Sequence, residues 1–386
     1  MEKRQKELLN ICWKLMESKK KILIVSAPFY PENSPRANRA TELAREFARQ
    51  ENDVKVLTVF GDADYNKIAK DFGISITNLG KRKWRSPEFG KSRFGNFLTR
   101  AFYRLFSLSV EFPDIELLFL VKKALKLENN YDLMISSAVP YPVHWGVATA
   151  RKKNHRIAKV WVADCGDPYM GVTLDSFRKP FYFGYIEKWF CKKTDYLTVP
   201  TQGSAEGYYP QYRYKIKVIP QGFNFEEIQL SMNHEGNKIL TLAYAGGIAS
   251  RGIRNPTKFI NYIIDNKANF RFHIYTDSGF EFIEPYCLKY PDLFIYHKAI
   301  PRLDLIFKLS EVDFLVNFDN GTTMMRPSKL IDYALAKRPI LNILAEDPDL
   351  QLVDEFFNRD YHRNLVIENI DQFNIKVITC QFIDLT

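Results

Sequence analysis

Short β-branched runs alternate with helix-length segments along almost the whole chain, and this alternation constrains the fold more than any other feature. Strand candidates in the first half are Lys21–Val25, Val54–Val59, Asp132–Ser136, Ala158–Ala163, Tyr196–Val199 and Lys217–Ile219. Helix-length segments at Ser34–Gln50, Pro140–Lys153 and Pro180–Lys193 separate several of them. The second half repeats the pattern, with strand candidates at Ile239–Ala245, Phe270–Tyr275, Leu293–Tyr296, Asp313–Val316 and Ile340–Leu344. Its helical segments are Asn255–Asn266, Arg302–Leu309 and Pro327–Lys337. Such alternation builds right-handed βαβ crossovers and parallel sheets covered by helices on both faces. The expected class is α/β, with two Rossmann-like domains in succession.

The length of 386 residues fits that count, at roughly 100–200 residues per domain. Hydrophobic residues at 46% and charged residues at 26% exclude a disordered chain, because enough apolar surface exists to offset the ordering entropy. The join is expected near Pro220-Gln221-Gly222, where a strand ends and a polar stretch runs to Lys238. The expected division is an amphipathic helix over 1–20, Rossmann-like domains over 21–221 and 222–365, and a C-terminal helix over 366–386. Leu8, Ile11, Cys12, Leu15 and Met16 give the first helix one apolar face. Met1 to Lys20 lacks the apolar core of a secretion signal, and no stretch reaches the roughly 18 apolar residues of a membrane helix. The expected location is cytoplasmic. Five scattered cysteines, with no CxxC pair, are expected to be reduced.

Three loops carry the chemistry. Ser26 to Arg39 leaves the carboxyl end of the first strand, where open α/β sheets bind ligands. It has no glycine and so is no dinucleotide fingerprint, but it offers Arg36 and Arg39 at the start of the next helix. The second, Tyr244 to Pro256, ends a strand in Gly246 and Gly247 and follows with Arg251 and Arg254. Asn255 is a candidate helix cap and Pro256 a candidate first helical residue. Free backbone N–H groups, a positive helix end and guanidinium groups together suit a diphosphate. The third, Gly321 to Ile340, follows a strand and starts a helix at Pro327. Ser328 and Lys329 fall in its first turn and Asp332 one turn on, where a carboxylate can accept two ribose hydroxyls.

Residues 327–340, Pro-Ser-Lys-Leu-Ile-Asp-Tyr-Ala-Leu-Ala-Lys-Arg-Pro-Ile, resemble the nucleotide-sugar segment of GT-B glycosyltransferases, usually PSKLxEYxAxGKPV. Phe29 to Arg39, Tyr244 to Pro256, and Asp195 to Pro200 ahead of Val218 to Gly222 are also similar to that family. The likeness covers roughly residues 21–345, in order. It implies two Rossmann-like domains with parallel sheets facing across a cleft, and a donor held mostly by the second domain. Asp332 takes the place of the family's ribose-binding glutamate, and Arg251 or Arg254 with Lys329 would neutralise the diphosphate. The nucleobase would sit near His297-Lys298-Ala299-Ile300, Ile300 included. Eight residues before Asp332, where retaining members often carry a second glutamate, stands Met324. That departure leaves the donor sugar and the inverting or retaining outcome open.

The first domain is expected to bind the acceptor, with Arg36 and Arg39 toward the cleft. An inverting transfer needs a group to take the acceptor proton. Asp164 and Asp167, in the loop Asp164 to Tyr169, and His144, one turn into a helix, are the candidates. No cofactor is expected beyond the nucleotide diphosphate sugar itself, and no metal. Asp62-Ala63-Asp64 spells the DxD of metal-dependent transferases of another fold, but it is expected to be a solvated loop, and the six histidines are far apart in sequence.

The formal charge of +10 leaves several anionic partners open. Residues 81–106 concentrate it: Lys81, Arg82, Lys83, Arg85, Lys91, Arg93, Arg100 and Arg104 stand against Glu88, interleaved with Trp84, Phe89, Phe94, Phe97, Phe102, Tyr103 and Phe106. With no accompanying nucleic-acid module, nucleic acid is not the expected partner; the readings that fit are a helix whose aromatic face packs on its own domain and one that lies on an anionic membrane surface, the inner face of the cell membrane. The functional expectation is transfer of a sugar from a nucleotide diphosphate sugar to a glycan, free or carried on a polyprenyl lipid, in cell-surface polysaccharide synthesis. A nucleotide-sugar epimerase of the same fold and a non-catalytic nucleotide- or glycan-binding module are the alternatives.

Overall fold

The computed structural model describes residues 18–32, 34–84, 103–151, 157–166, 168–171, 179–232, 236–319 and 329–386. The chain divides into two compact units, one running to Phe223 and resuming at Gln372, the other spanning Asn224–Asp371.

The first unit is a seven-stranded parallel sheet in the order β3-β2-β1-β4-β5-β6-β7. The strands are β1 (Lys21–Ser26), β2 (Asp53–Thr58), β3 (Ser75–Asn78), β4 (Tyr131–Ser137), β5 (Ala158–Asp164), β6 (Tyr196–Val199) and β7 (Ile216–Val218). Successive side chains of a strand point to opposite faces, so a sheet covered on both sides needs apolar residues at every position. β1 meets that demand: Ile22 and Ile24 enter one core while Leu23 and Val25 enter the other. One face is covered by α1 (Pro35–Arg49), the other by α3 (Glu116–Ala124), α4 (Pro142–Ala150) and α5 (Phe183–Lys193), while α2 (Tyr65–Phe72) follows β2. Ser34 caps α1 by accepting from the Ala37 N–H, with Pro35 preset for the first turn. Asp64 lies exposed in a loop, as expected, and from there it caps α2 by accepting from the N–H groups of Asn66 and Lys67.

The second unit is a five-stranded parallel sheet in the order β10-β9-β8-β11-β12. Its strands are β8 (Leu240–Ala245), β9 (Phe270–Tyr275), β10 (Phe294–His297), β11 (Phe314–Asp319) and β12 (Ile340–Leu344). The helices used below are α7 (Thr257–Asn266), α9 (Arg302–Ser310), α10 (Lys329–Ala336) and α11 (Leu350–Phe357). In both sheets the strand order reverses once, between β1 and β4 and between β8 and β11. The carboxyl ends of the strands at such a reversal form a crevice where α/β sheets take ligands.

The C-terminal helix α12 (Ile375–Ile383) belongs to the first unit, although the chain reaches it after the second. Phe223 N–H donates to Phe373 O at 2.7 Å, and Ile375 N–H donates to Phe223 O at 2.9 Å. Ile375, Ile378, Phe382 and Ile383 complete the core beneath α1. Cys165, Cys191 and Cys287 are free thiols, whereas Cys380 is disulfide-bonded, a departure from the expectation of five reduced cysteines. Among the described residues no helix is long and apolar enough to cross a membrane.

Candidate functional site

At the strand reversal of the second unit, β8 ends at Ala245 and the backbone turns at once. Gly246 has φ of +148°, a conformation that glycine adopts at little cost and L side chains rarely do. A Cβ there would also lie 3.0 Å from the Tyr244 hydroxyl. That hydroxyl donates to Gly247 O at 2.8 Å and fixes the loop. Across the reversal, Tyr333 of α10 is fully buried; its hydroxyl accepts the Ala245 N–H at 2.8 Å and donates to Val316 O at 3.1 Å. One side chain thus ties the ends of β8 and β11 together. Residues 252–254 make a single 3₁₀ turn, and Asn255 accepts the Thr257 N–H at 3.0 Å, capping α7 from one residue further out than expected.

Two cations, Arg254 and Lys329, stand beside this turn, and a third, Arg251, lies in the same loop. Arg254 extends past Gly247, a Cβ on which would lie 3.5 Å from Nη1. Lys329 is half-buried at the start of α10, with Nζ 4.6 Å from the centre of the Tyr244 ring. Burial and the like charge of Arg254 push the Lys329 ammonium down to about 8, against the pull of Asp319. Arg251 is exposed at the rim. None of the three makes an ion pair among the described residues. A partly desolvated ammonium beside a like charge, with no ion pair of its own, is unfavourable and is relieved by an anion. Ser328 and Met324 lie outside the described residues.

Asp332 sits one turn into α10, mostly shielded, with its carboxyl raised by burial and pulled back by Arg302. Arg302 of α9 grips Oδ1, with Nε at 2.6 Å. Oδ2 has no partner among the described residues and remains available as an acceptor. Arg302 follows Ile300 and Pro301, so the ion pair holds the loop after β10 beside the carboxylate. Ile300 itself is half-exposed in that loop. At the end of β10, the His297 ring stacks on Tyr275 at 4.5 Å and shares a 2.8 Å hydrogen bond with His273. Burial depresses both imidazoles, His273 to about 4, so the pair is neutral at pH 7.

In the first unit the residues expected to bind the acceptor are engaged with one another. Asp164 ends β5 fully buried: Arg39 Nε donates to Oδ2 and Arg39 Nη2 to Oδ1, both at 2.7 Å, and Thr198 Oγ1 donates to Oδ1 at 2.8 Å. Burial raises its carboxyl, but Arg39, Arg36 and Thr198 hold it below the usual range. A carboxylate so occupied is a poor proton acceptor, and this corrects the expectation of a catalytic base. Arg39 is likewise occupied inside the first unit, contrary to the expectation that it meets an acceptor. It is 3% exposed and also donates to Pro220 O at 2.6 Å and Ile219 O at 3.1 Å. Arg36 retains exposure and lies 3.8 Å from Asp164, flat against Gly166, where a Cβ would fall 1.8 Å from Nη2. Asp167 lies outside the described residues.

His144 is also fully buried, contrary to the expectation that it touches a sugar. Ser136 Oγ, which accepts the Trp161 indole N–H at 2.8 Å, lies 2.8 Å from Nδ1, and Cys165 Sγ lies 3.4 Å from Nε2. Burial drives the imidazole down to about 3, so it stays neutral at physiological pH. Glu187 was not anticipated. Its Oε1 accepts the Tyr169 N–H at 3.1 Å, its Oε2 is buried without a partner, and burial lifts its carboxyl to about 7. The spacing of Phe183, Glu187 and Phe190 puts it on the apolar face of α5, a signal present in the sequence. Among the described residues, no three His, Cys, Asp or Glu side chains gather as a metal site would require.

No protein-family model matches the chain, and no curated protein sequence matches it. Solved structures do. A glycosyltransferase from Rickettsia africae superposes with a TM-score of 0.58 at 11% identity, over 94% of this chain and 97% of that one. The UDP-GlcNAc 2-epimerase of Neisseria meningitidis, bound to UDP-GlcNAc, gives 0.55 at 10% identity over 95% and 99%. Anabaena HepE, in complex with UDP and glucose, gives 0.50 at 12% identity over 94% of each chain. At such identities the likeness concerns the fold, and the fold of this chain is GT-B: two Rossmann-like α/β units, with parallel sheets of seven and five strands.

Proposed function

We propose that the chain is a glycosyltransferase that takes a sugar from a nucleotide diphosphate sugar and passes it to a hydroxyl of a glycan acceptor. The supporting observation is the placement of Arg254 and Lys329 beside the Gly246-Gly247 turn, with Arg251 in the same loop, all three without ion-pair partners among the described residues. The diphosphate would meet the backbone N–H groups of the turn and the three cations, and a ribose hydroxyl would donate to Asp332 Oδ2. Negative charge grows on the diphosphate as the glycosidic bond breaks. Fixed cations there therefore stabilise the transition state more than the ground state, without a metal. Asp164 and His144 are withdrawn as bases; Asp167 remains the candidate in the first unit.

Thermal-shift titration with nucleoside diphosphates and their sugars tests the donor site, because a bound ligand stabilises by mass action. We expect Lys329→Ala and Asp332→Ala each to weaken the ligand that stabilises the native chain by about tenfold or more, the scale of one charge-assisted contact. Unchanged affinity in both variants would overturn the assignment. A nucleotide-sugar epimerase, the second reading, is kept open by the likeness to the Neisseria enzyme. The two separate on whether nucleoside diphosphate is released only when a glycan acceptor is present.

A further inference from the structure

On the face of the first unit formed by α3, α4 and α5, an open groove of about 500 Å³ is lined almost wholly by apolar atoms. Val110, Ile115, Leu118, Tyr182, Tyr185 and Trp189 form its walls. The α5 residues recur at the spacing of one helix face, and they are not sunk into the core: Tyr185 is 69% exposed, and Phe181 beside them 80%. On α3, Phe119 is 56% exposed next to Leu118. The apolar surface continues onto Trp84 and Phe106, whose rings pack on Phe112 at 5.8 and 5.7 Å. Contiguous exposed apolar surface on this scale marks a contact face.

The charges around it are sorted by sign. The acids turn inward or are already paired. Glu111 holds Lys179 and accepts the Tyr169 hydroxyl, and Asp114 holds Arg82 at 2.7 Å. Glu116 accepts the N–H groups of Lys83 and Trp84, and Glu187 is buried. Cations stand at the ends of the apolar stripes. At the end of α3 Lys123 is exposed and Lys122 half-exposed, and at the end of α5 Lys192 is exposed, while Lys193 Nζ donates to Ala148 O at 2.7 Å and lies 4.9 Å from the Trp189 ring. Lys122, Lys123 and Lys192 make no ion pair among the described residues. Tyrosine and tryptophan rings have an apolar body and a polar edge, and lysines extend a charge beyond an apolar stem. Together they match the boundary between headgroups and acyl chains.

We propose that this face docks on an anionic lipid bilayer, with the aromatic rims at headgroup depth, an acyl chain in the groove and the lysines on lipid phosphates. The proposal is independent of the nucleotide site. It moves the membrane contact expected of residues 81–106 to α3 and α5; of that segment only 81–84 and 103–106 lie among the described residues.

The test uses the full chain with vesicles of phosphatidylcholine alone or mixed with phosphatidylglycerol. We expect the native chain to sediment with the mixed vesicles, to shift its tryptophan emission to the blue, and to leave the neutral ones. Tyr185→Ser with Trp189→Ser, both at exposed positions, should lower vesicle partitioning at least about tenfold while melting as the native chain does. Lys122→Glu with Lys192→Glu, which spares the apolar groove, should lower it several-fold and flatten its salt dependence. Absence of retention at low salt would overturn the proposal, and so would retention equal to native in both variants. A dimer seen by light scattering and dissolved by the aromatic variant would assign the face to a second copy of the chain, overturning it as well.

Discussion

Glu187 shows how one buried group sets a pH dependence. Its carboxyl titrates at about 7 in the folded chain against 4.5 in the unfolded one, because burial disfavours the charge more than the Tyr169 and Met170 N–H groups favour it. The folded state therefore holds a proton that the unfolded chain has lost. The sign follows: no penalty exists below pH 4.5, and stability falls as pH rises from 4.5 through 7. The full loss is about 3 kcal/mol at most by linkage. Glu187→Gln keeps an acceptor for the Tyr169 N–H and removes the titration. We expect its melting temperature, relative to the native chain, to climb steadily between pH 5 and pH 8; a pH-independent difference would show that another group carries the effect. At this scale the turn after β8 and the start of α10 were legible because they are local: Gly246, Gly247, Lys329 and Asp332, the proposed donor residues, stand in contiguous motifs. Asp164 and His144 were misread because their partners Arg39 and Cys165 lie 125 and 21 positions away, and no local pattern reveals that both side chains are satisfied inside.

Between elements, the Arg39–Asp164 pair joins α1 to the end of β5 and, through Ile219 O and Pro220 O, to the segment following β7. Each partner is nearly or fully buried, so removal of Arg39 leaves the Asp164 carboxylate with only Thr198 and the more distant Arg36 at 3.8 Å. Arg39→Met should cost about 3–5 kcal/mol in urea unfolding, whereas Arg39→Met combined with Asp164→Leu should recover much of that loss. Additive losses in the pair of variants would mean that the two groups are not coupled. Strands were legible wherever both faces are buried: Phe270–Tyr275 and Ile340–Leu344 match the expected limits, and β1, β4 and β8 differ by a residue or so. Strand β3, Ser-Ile-Thr-Asn, was missed because it is a largely exposed edge and so needs no apolar run. Helices α2, α3 and α11 were likewise unread, being short amphipathic pieces between longer signals.

Across the whole molecule the order of the chain and the order of packing part company. The polypeptide leaves the first unit after Phe223 and supplies its last helix only from Gln372 onward. The sequence boundary at 365/366 set this helix apart without assigning it to a core, since the apolar face of an isolated helix does not say which sheet it covers. In the structure Ile375, Ile378, Phe382 and Ile383 lie on the core shared by α1 and β1, and Thr379 accepts from Gln50 at 2.7 Å. Four such side chains, at about 1.5–3 kcal/mol each, represent a stabilisation comparable to the roughly 5–15 kcal/mol of an entire domain. A chain ending at Asp371 should therefore lose the cooperative melt of the first unit, although every residue of its sheet is still present. Ile378→Ala or Phe382→Ala, which leave the helix in place, should each cost about 2–5 kcal/mol. A truncated chain that melts as the full one does would mean that the helix merely rests on the sheet. If stability is lost as expected, the first unit is complete only once the second has been made, and its folding must wait for α12.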